Sequence, residues 1–198
     1  MKKTTDPKVA AKAGLHQLKI TLAWTNPEIW RRVVVPSGTT LEILHYIIQE
    51  AMGWEACHLY QFIAGKRPNL VYYGSSDFAE RGDMEDDSLV TIGNLAPRVR
   101  SKFRYEYDFG DSWIHEILTE KILPPDPSIE HPICLDGANA CPPEDCGGLG
   151  GFYNIVEALQ DPKHPEHDEF ADWVDEGWSP EIFDLKGVNA KLRRIRVS

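Results

Sequence analysis

Between positions 108 and 115 the chain places Asp108, Asp111, Ser112, Trp113 and His115: two carboxylates, a hydroxyl and an imidazole within a few residues. Such a set suits a divalent cation or general acid–base work, because hard oxygen ligands hold the one and imidazole with carboxylate perform the other. A second group lies further on. Cys134, Cys141 and Cys146 have the spacing C-x6-C-x4-C, with Glu144 and Asp145 ahead of the last cysteine and Gly147-Gly148 behind it. Thiolates converging from a loop are what a zinc site requires, and His131, His115, His58 or Cys57 could supply a fourth ligand. Paired C-x2-C knuckles are absent, and the plainer account is of buried or incidental thiols in a loop that Pro142-Pro143 would stiffen in any case. If this loop lies against the 108–115 stretch, Asp108, Asp111, His115 and Glu144 form a catalytic set for metal-dependent hydrolysis, with Asp145 and Trp113 as binding contacts. The competing account is that these carboxylates cap turns and helix starts.

The stretch 103–123 positions the first group. Phe103, Tyr105, Tyr107 and Phe109 alternate with Arg104, Glu106 and Asp108, the period-two pattern of a half-buried strand. After the turn residues Gly110-Asp111-Ser112, a second run sets Ile114, Leu118 and Ile122 on one side and Trp113, His115, Ile117 and Thr119 on the other. A two-stranded antiparallel hairpin follows, with the chemistry at its tip.

Upstream, 1–14 is polar and aperiodic and reads as a disordered lead-in. Leu18, Ile20, Leu22 and Trp24 mark a strand, Thr25-Asn26-Pro27 a turn, and 29–35 a second strand. Thr39 and Glu42 fit a capping box for a helix whose stripe is Leu41, Leu44, His45, Ile48, Ala51 and Met52, stopped by Gly53. Short strands follow at 59–64 and 70–73. An acidic loop or irregular helix spans 75–87, and 89–92 pairs briefly. Pro124-Pro125-Asp126-Pro127 is a stiff break, and 134–148 is too rich in Gly and Pro for regular structure. Helices are predicted at 152–160, at 165–174 with the stripe Phe170, Trp173 and Val174, and at 185–195, with Ser179 and Asp184 as helix starts. With no βαβ rhythm and no phosphate-binding glycine loop, the fold class is α+β: an antiparallel or mixed sheet, one helix packed on a face, and a C-terminal helical segment. One domain over 15–198 is expected, divided into a sheet and helix core (15–123), the Pro/Gly/Cys loop (124–150) and the helical tail (151–198).

The 198 residues carry a net charge of −10, unevenly spread. From 126 to 184 there are fifteen acids and one base, Lys163, so the remainder is net positive. Bases gather at Arg98, Arg100, Lys102 and Arg104, and at Lys186, Lys191, Arg193, Arg194 and Arg196. A local basic face for nucleic acid is therefore conceivable on an acidic protein, although solvated surface charge explains the same pattern. No uncharged apolar run of about 18 residues occurs, so no membrane association is expected. A cytoplasmic location with reduced thiols fits the cysteine usage.

Several residue sets are set aside. Asp108-Phe109-Gly110 matches a kinase tripeptide without any other kinase element. His164 and His167 in H-P-E-H read as a helix start. Cys57-His58 could pair a thiol with its base, but neighbours on a strand point to opposite faces. Trp30, Arg31 and Arg32 could stack and neutralise a nucleic-acid strand, yet alternation separates the two arginines.

The phrases I-W-R-R-V at 29–33, A-M-G-W at 51–54, H-L-Y-Q-F at 58–62, Y-E-Y-D-F-G-D-S-W at 105–113, C-P-P-E-D-C-G-G at 141–148, H-P-E-H at 164–167 and F-D-L at 183–185 together resemble the Ri-plasmid open-reading-frame-three-like proteins, some of which are labelled transposon passengers. The resemblance covers roughly 15–195. It implies an open sheet flanked by helices and an association with plasmids and mobile elements, and it implies no activity. The expectation is then a binding or interaction domain, metal-stabilised if zinc is held, whose partner is an unidentified protein or small molecule. A metal-dependent hydrolase is the second alternative. The third is nucleic-acid binding through the basic segments, to which Arg31 and Arg104 would contribute.

Overall fold

Leu18, Ile20 and Leu22 fall on alternate positions and are all fully buried, which is what a strand with one face on the core demands; they belong to β1, Leu15–Leu22. In this computed structural model, which describes residues 14–79 and 84–197, β1 pairs antiparallel with β2, Trp30–Pro36. The expected lead-in lies outside the described residues except for Gly14, whose carbonyl accepts from Ser37 N at 2.8 Å. Trp24 does not continue the strand pattern: it sits beyond the end of β1 with φ 63° and is 73% exposed.

Helix α1, Leu41–Met52, buries the whole expected stripe and ends at Gly53, whose left-handed φ of 109° favours glycine. Its cap is one residue later than the sequence suggests. Thr40 Oγ1 accepts from Ile43 N at 3.3 Å, whereas Thr39 is fully buried and its hydroxyl has no partner among the described residues. Backbone bonding fixes this register: Ile92 N donates to Thr39 O and Leu41 N to Val90 O, each at 2.9 Å. We expect Thr40→Ala to lower stability by about 1 kcal/mol and Thr39→Val to leave it unchanged or raised. Urea unfolding of the two variants checks this, and the reverse order would restore Thr39 as the cap.

Strands β3 (Tyr60–Lys66) and β4 (Asn69–Gly74) form a hairpin, and after the short α2 (Ser76–Ala79) the two-residue β5 (Glu85–Asp86) adds parallel to β4. A 3₁₀ turn (Asp87–Leu89) and α3 (Ile92–Leu95) lead to the central hairpin of β6 (Lys102–Tyr107) and β7 (Trp113–Leu123), paired from Lys102↔Leu118 to Tyr107↔Trp113. Positions 80–83 of the acidic segment lie outside the described residues. The expected aromatic face stops at Tyr107. Asp108 turns left-handed at φ 53° and ends the strand, which leaves Phe109 45% exposed in the tip.

The stretch expected to lack regular structure contributes β8, Ile133–Ala138, on the outer edge of β2. Gly137 does not break this strand; it fits it. A Cβ there would lie 2.7 Å from the Phe183 ring and 2.8 Å from Trp30 O, so a close approach requires glycine. On the other edge of β8, the Asn189 side chain donates to Cys134 O and accepts from Cys134 N, both at 2.9 Å. Among the described residues the sheet order is β5-β4-β3-β6-β7-β1-β2-β8, eight strands in a mixed sheet in which only β4 and β5 run parallel.

One face of the sheet carries Val33, Ile20, Ile117, Tyr105 and Phe62 against α1. The opposite face carries ion pairs, among them Arg32 with Glu120 at 2.6 Å. Three helices complete the chain: α4 (Gly148–Gln160), α5 (His167–Trp173) and α6 (Leu185–Leu192). The expected stripe of α5 is not buried, and Trp173 is 47% exposed. Ser179 starts no helix, but Asp184 does cap α6, accepting from Gly187 N at 2.9 Å.

Candidate metal centre

The hairpin tip and the 141–148 loop meet. Asp111 Oδ2 accepts from Gly147 N at 3.1 Å, and a Cβ on Gly148 would come within 3.0 Å of Asp111 O, so the approach depends on the Gly147-Gly148 pair. Tyr107, the last residue of β6, donates its hydroxyl to Glu144 Oε1 at 2.9 Å, and Glu55 N donates to the same oxygen at 2.8 Å. Burial, with the Cys57 and Glu144 contacts adding to it, pushes the Tyr107 phenol well above its usual range, so it acts as a neutral donor.

His58 stands over this junction. Its Nε2 lies 3.1 Å from Asp145 Oδ1 and 3.9 Å from both Asp108 Oδ2 and Glu144 Oε2. Neither His58 Nε2 nor Glu144 Oε2 makes an aligned hydrogen bond among the described residues, although both atoms are buried. Among the described residues, two groups have ligand atoms within 4.8 Å of one another: His58, Asp108 and Asp145, and Cys57, His58 and Glu144. Asp108 is held by its own turn, Oδ1 accepting from Gly110 N at 2.9 Å while its amide donates to Leu59 O.

The side chains singled out from sequence are distributed as follows. Asp108, Glu144 and Asp145 converge on His58, and Asp111 anchors the second loop. His115 lies behind the tip in the core, fully buried and edge-on to Trp54 at 5.3 Å, with Nδ1 3.1 Å from Trp113 O. Trp113 packs 5.9 Å from Trp54. Arg31 is buried beneath α1, and Arg104 is exposed on the far face of β6, opposite Glu116. Among the described residues, Cys134, Cys141 and Cys146 do not form a group with ligating atoms within 4.8 Å. Cys134 Sγ donates to Asp136 O at 3.4 Å. Burial pushes all three thiols up, Cys146 to about 12, so they are protonated.

Cys57 and His58 correct an inference from strand geometry. They precede β3 rather than lying in it, Ala56 takes φ 56°, and the two side chains reach the same site. His58 was legible only as one of four candidate ligands, and Tyr107 only as a core aromatic. Of the two histidines of H-P-E-H, His164 serves the turn before α5, its Nδ1 accepting from Glu166 N at 3.2 Å, while His167 opens α5 and sets its Nδ1 2.8 Å from Ala158 O of α4.

Comparison with known proteins agrees with this architecture. A relative from Sinorhizobium fredii (strain NBRC 101917 / NGR234), called an uncharacterized protein y4hQ, is 39% identical over 163 residues, covering 81% of each chain. The crystal structure of MM3350, a protein of unknown function from Methanosarcina mazei Go1, superposes with a TM-score of 0.79 at 32% identity, covering 88% of this chain and 97% of that one. The family model described as plasmid pRiA4b ORF-3-like protein matches residues 14–187. That match, over most of the chain, places it in the plasmid pRiA4b ORF-3-like family.

Proposed function

We propose that the chain is a binding domain whose recognition surface is the junction of the hairpin tip and the 141–148 loop, organised by one divalent cation on His58, Asp108, Glu144 and Asp145. The observation that carries this reading is the pair of buried atoms, His58 Nε2 and Glu144 Oε2, 3.9 Å apart and each without a hydrogen-bond partner. Buried polar atoms are normally satisfied, and three carboxylates around one imidazole need a positive charge to lie close together. Ligand bonds of about 2.0–2.6 Å put two ligating atoms up to about 5 Å apart on one ion, which accommodates His58 with Asp108 and Asp145, and His58 with Glu144; Glu144 joins the two aspartates on the same ion by closing toward them when it binds. One imidazole among carboxylates favours an ion of the zinc or manganese kind over calcium.

The test is calorimetric titration of chelator-stripped protein with Zn²⁺ and with Mn²⁺. We expect saturable binding near one ion per chain, weakened at least about a hundredfold by His58→Ala and by Glu144→Gln. Cys141→Ser should leave it unchanged. Absence of saturable binding, or loss confined to Cys141→Ser, would defeat the reading.

A metal-dependent hydrolase is the second reading, because the same cation would acidify a bound water and Cys57 Sγ sits beside His58 and Glu144. It draws on Asp108 and Glu144; Asp111 is engaged by Gly147, and His115 is enclosed. Activity in an ester and amide screen with Mn²⁺ that disappears in His58→Ala would move it to first place. The nucleic-acid reading rests on two exposed basic segments, and oligonucleotide binding at low salt decides it.

A further inference from the structure

A second site lies on the other side of the 141–144 segment, between α1 and the C-terminal helices. A cavity of about 530 Å³ opens there, lined by Arg31, Trp54, Trp178, Phe183 and Lys191 among others. Arg31 is only 2% exposed. Its Nε donates to Ala51 O at 2.8 Å, and Nη1 donates to Trp30 O at 2.8 Å and to Ala138 O at 2.9 Å. These bonds occupy three of the five guanidinium protons and leave the two on Nη2 without an acceptor among the described residues. The Phe183 ring stacks at 4.1 Å on the guanidinium.

No carboxylate among the described residues lies within 4.0 Å of Arg31; Glu50 instead faces Lys191, at 3.9 Å. Burial lowers the guanidinium's proton affinity, and the nearby charge-bearing groups that oppose this are the thiols of Cys141 and Cys134, which are protonated. A buried cation with three carbonyl bonds and a ring around it still has two free donors and no opposite charge, and buried charges are ordinarily paired. The rest of the lining is acidic, with Glu50, Glu55, Glu144, Asp175 and Asp184 set against Lys191. A simple anion would be repelled on entry. A molecule bearing a carboxylate at one end and an ammonium at the other would be matched by the site.

We propose that this cavity binds a small zwitterion of the amino-acid class with an apolar side chain, its carboxylate on Arg31, its ammonium toward the acidic lining and its body against Trp178 and Phe183. The volume lies within the range of ordinary ligand cavities, about 300–1,000 Å³. The cavity shares Glu144 with the proposed cation centre, so the test is run in chelator to keep that centre empty.

The probes are L-phenylalanine, 3-phenylpropionate, which lacks the ammonium, and phenethylamine, which lacks the carboxylate. Each is titrated into protein with ¹⁵N-labelled arginine side chains and followed by the Arg31 Nε resonance and by calorimetry. We expect L-phenylalanine to bind and shift that resonance, 3-phenylpropionate to bind at least about tenfold more weakly, and phenethylamine not to bind at all. Arg31→Met, which removes the charge but fills the space, should stay folded and lose the binding; Arg31→Lys should keep part of it. No saturable binding of any probe up to about 10 mM would overturn the proposal. So would L-phenylalanine binding that persists undiminished in Arg31→Met. Should Arg31→Met fail to fold, the resonance shift in the wild-type protein still decides.

Discussion

Between roughly pH 6 and pH 4 the protein is expected to lose about 2.7 kcal/mol of stability for every pH unit of acidification, because two buried histidines refuse protons that the unfolded chain accepts. His45 and His115 are held down to about 3 from an ordinary 6.5. In both cases burial is the main cause. His45 Nδ1 lies 2.7 Å from Tyr105 Oη, which also accepts from Gln49 Nε2 at 2.9 Å. The imidazole also stacks on Tyr60 at a centroid distance of 3.6 Å. Above the unfolded value both rings are neutral in either state and contribute no slope. Below it the unfolded chain takes up two more protons than the folded one, and stability falls until the folded values near 3 are reached. His16, lowered by burial, acts in the same direction, and Asp87, raised by burial, acts against it at lower pH. Urea unfolding at a series of pH values measures the slope. His115→Gln should remove about half of the part due to these two rings. A slope unchanged by that variant would mean that His115 titrates normally in the folded protein.

The second large effect concerns Trp54, which joins the core to the candidate centre. It is 5% exposed, packs against Tyr107 at 5.1 Å and donates Nε1 to Pro142 O at 2.9 Å. Trp54→Ala should cost about 3–5 kcal/mol through the cavity it leaves. The informative variant is Trp54→Phe, which keeps most of the packing and drops the bond to Pro142. It should cost about 1 kcal/mol of stability. Cation affinity should fall by about tenfold, since a ligating side chain on a released loop must be re-ordered when the ion binds. Paired urea and Zn²⁺ titrations measure the two quantities. An undiminished affinity in Trp54→Phe would show that Pro142 does not position Glu144.

Much of the fold was legible because the sheet has one buried face and one wet one, which writes alternation directly into β1, β6 and β7. Helix α1 declared itself through its stripe, while its cap slipped by one residue because tertiary bonds to the 90–92 segment outrank the local motif. Strand β8 was hidden. Its Gly137 looked like a breaker until the Phe183 ring above it was known, and its pairing comes from the open edge of β2 rather than from its own composition. At the site, Asp108, Glu144 and Asp145 could be suspected from side-chain type alone. His58 could not be singled out, because its role depends on a left-handed residue, Ala56, and on a loop more than eighty positions away.

The position of β1 has a consequence for synthesis. It lies between β2 and β7, with Leu15 opposite Pro36 on one side and Leu123 on the other. A ribosome adding about 5–20 residues per second needs roughly 5–20 s to pass from the first of these strands to the last. Through that interval the nascent chain carries a finished hairpin whose inner edge, flanked by Leu18, Ile20 and Leu22, has neither its hydrogen-bonding partner nor its covering layer. An exposed apolar edge is the form most prone to pairing with a neighbouring chain. Overexpression should therefore lose protein at the nascent stage, before the finished molecule's own stability comes into play, and slower translation should not rescue yield unless a chaperone occupies that edge.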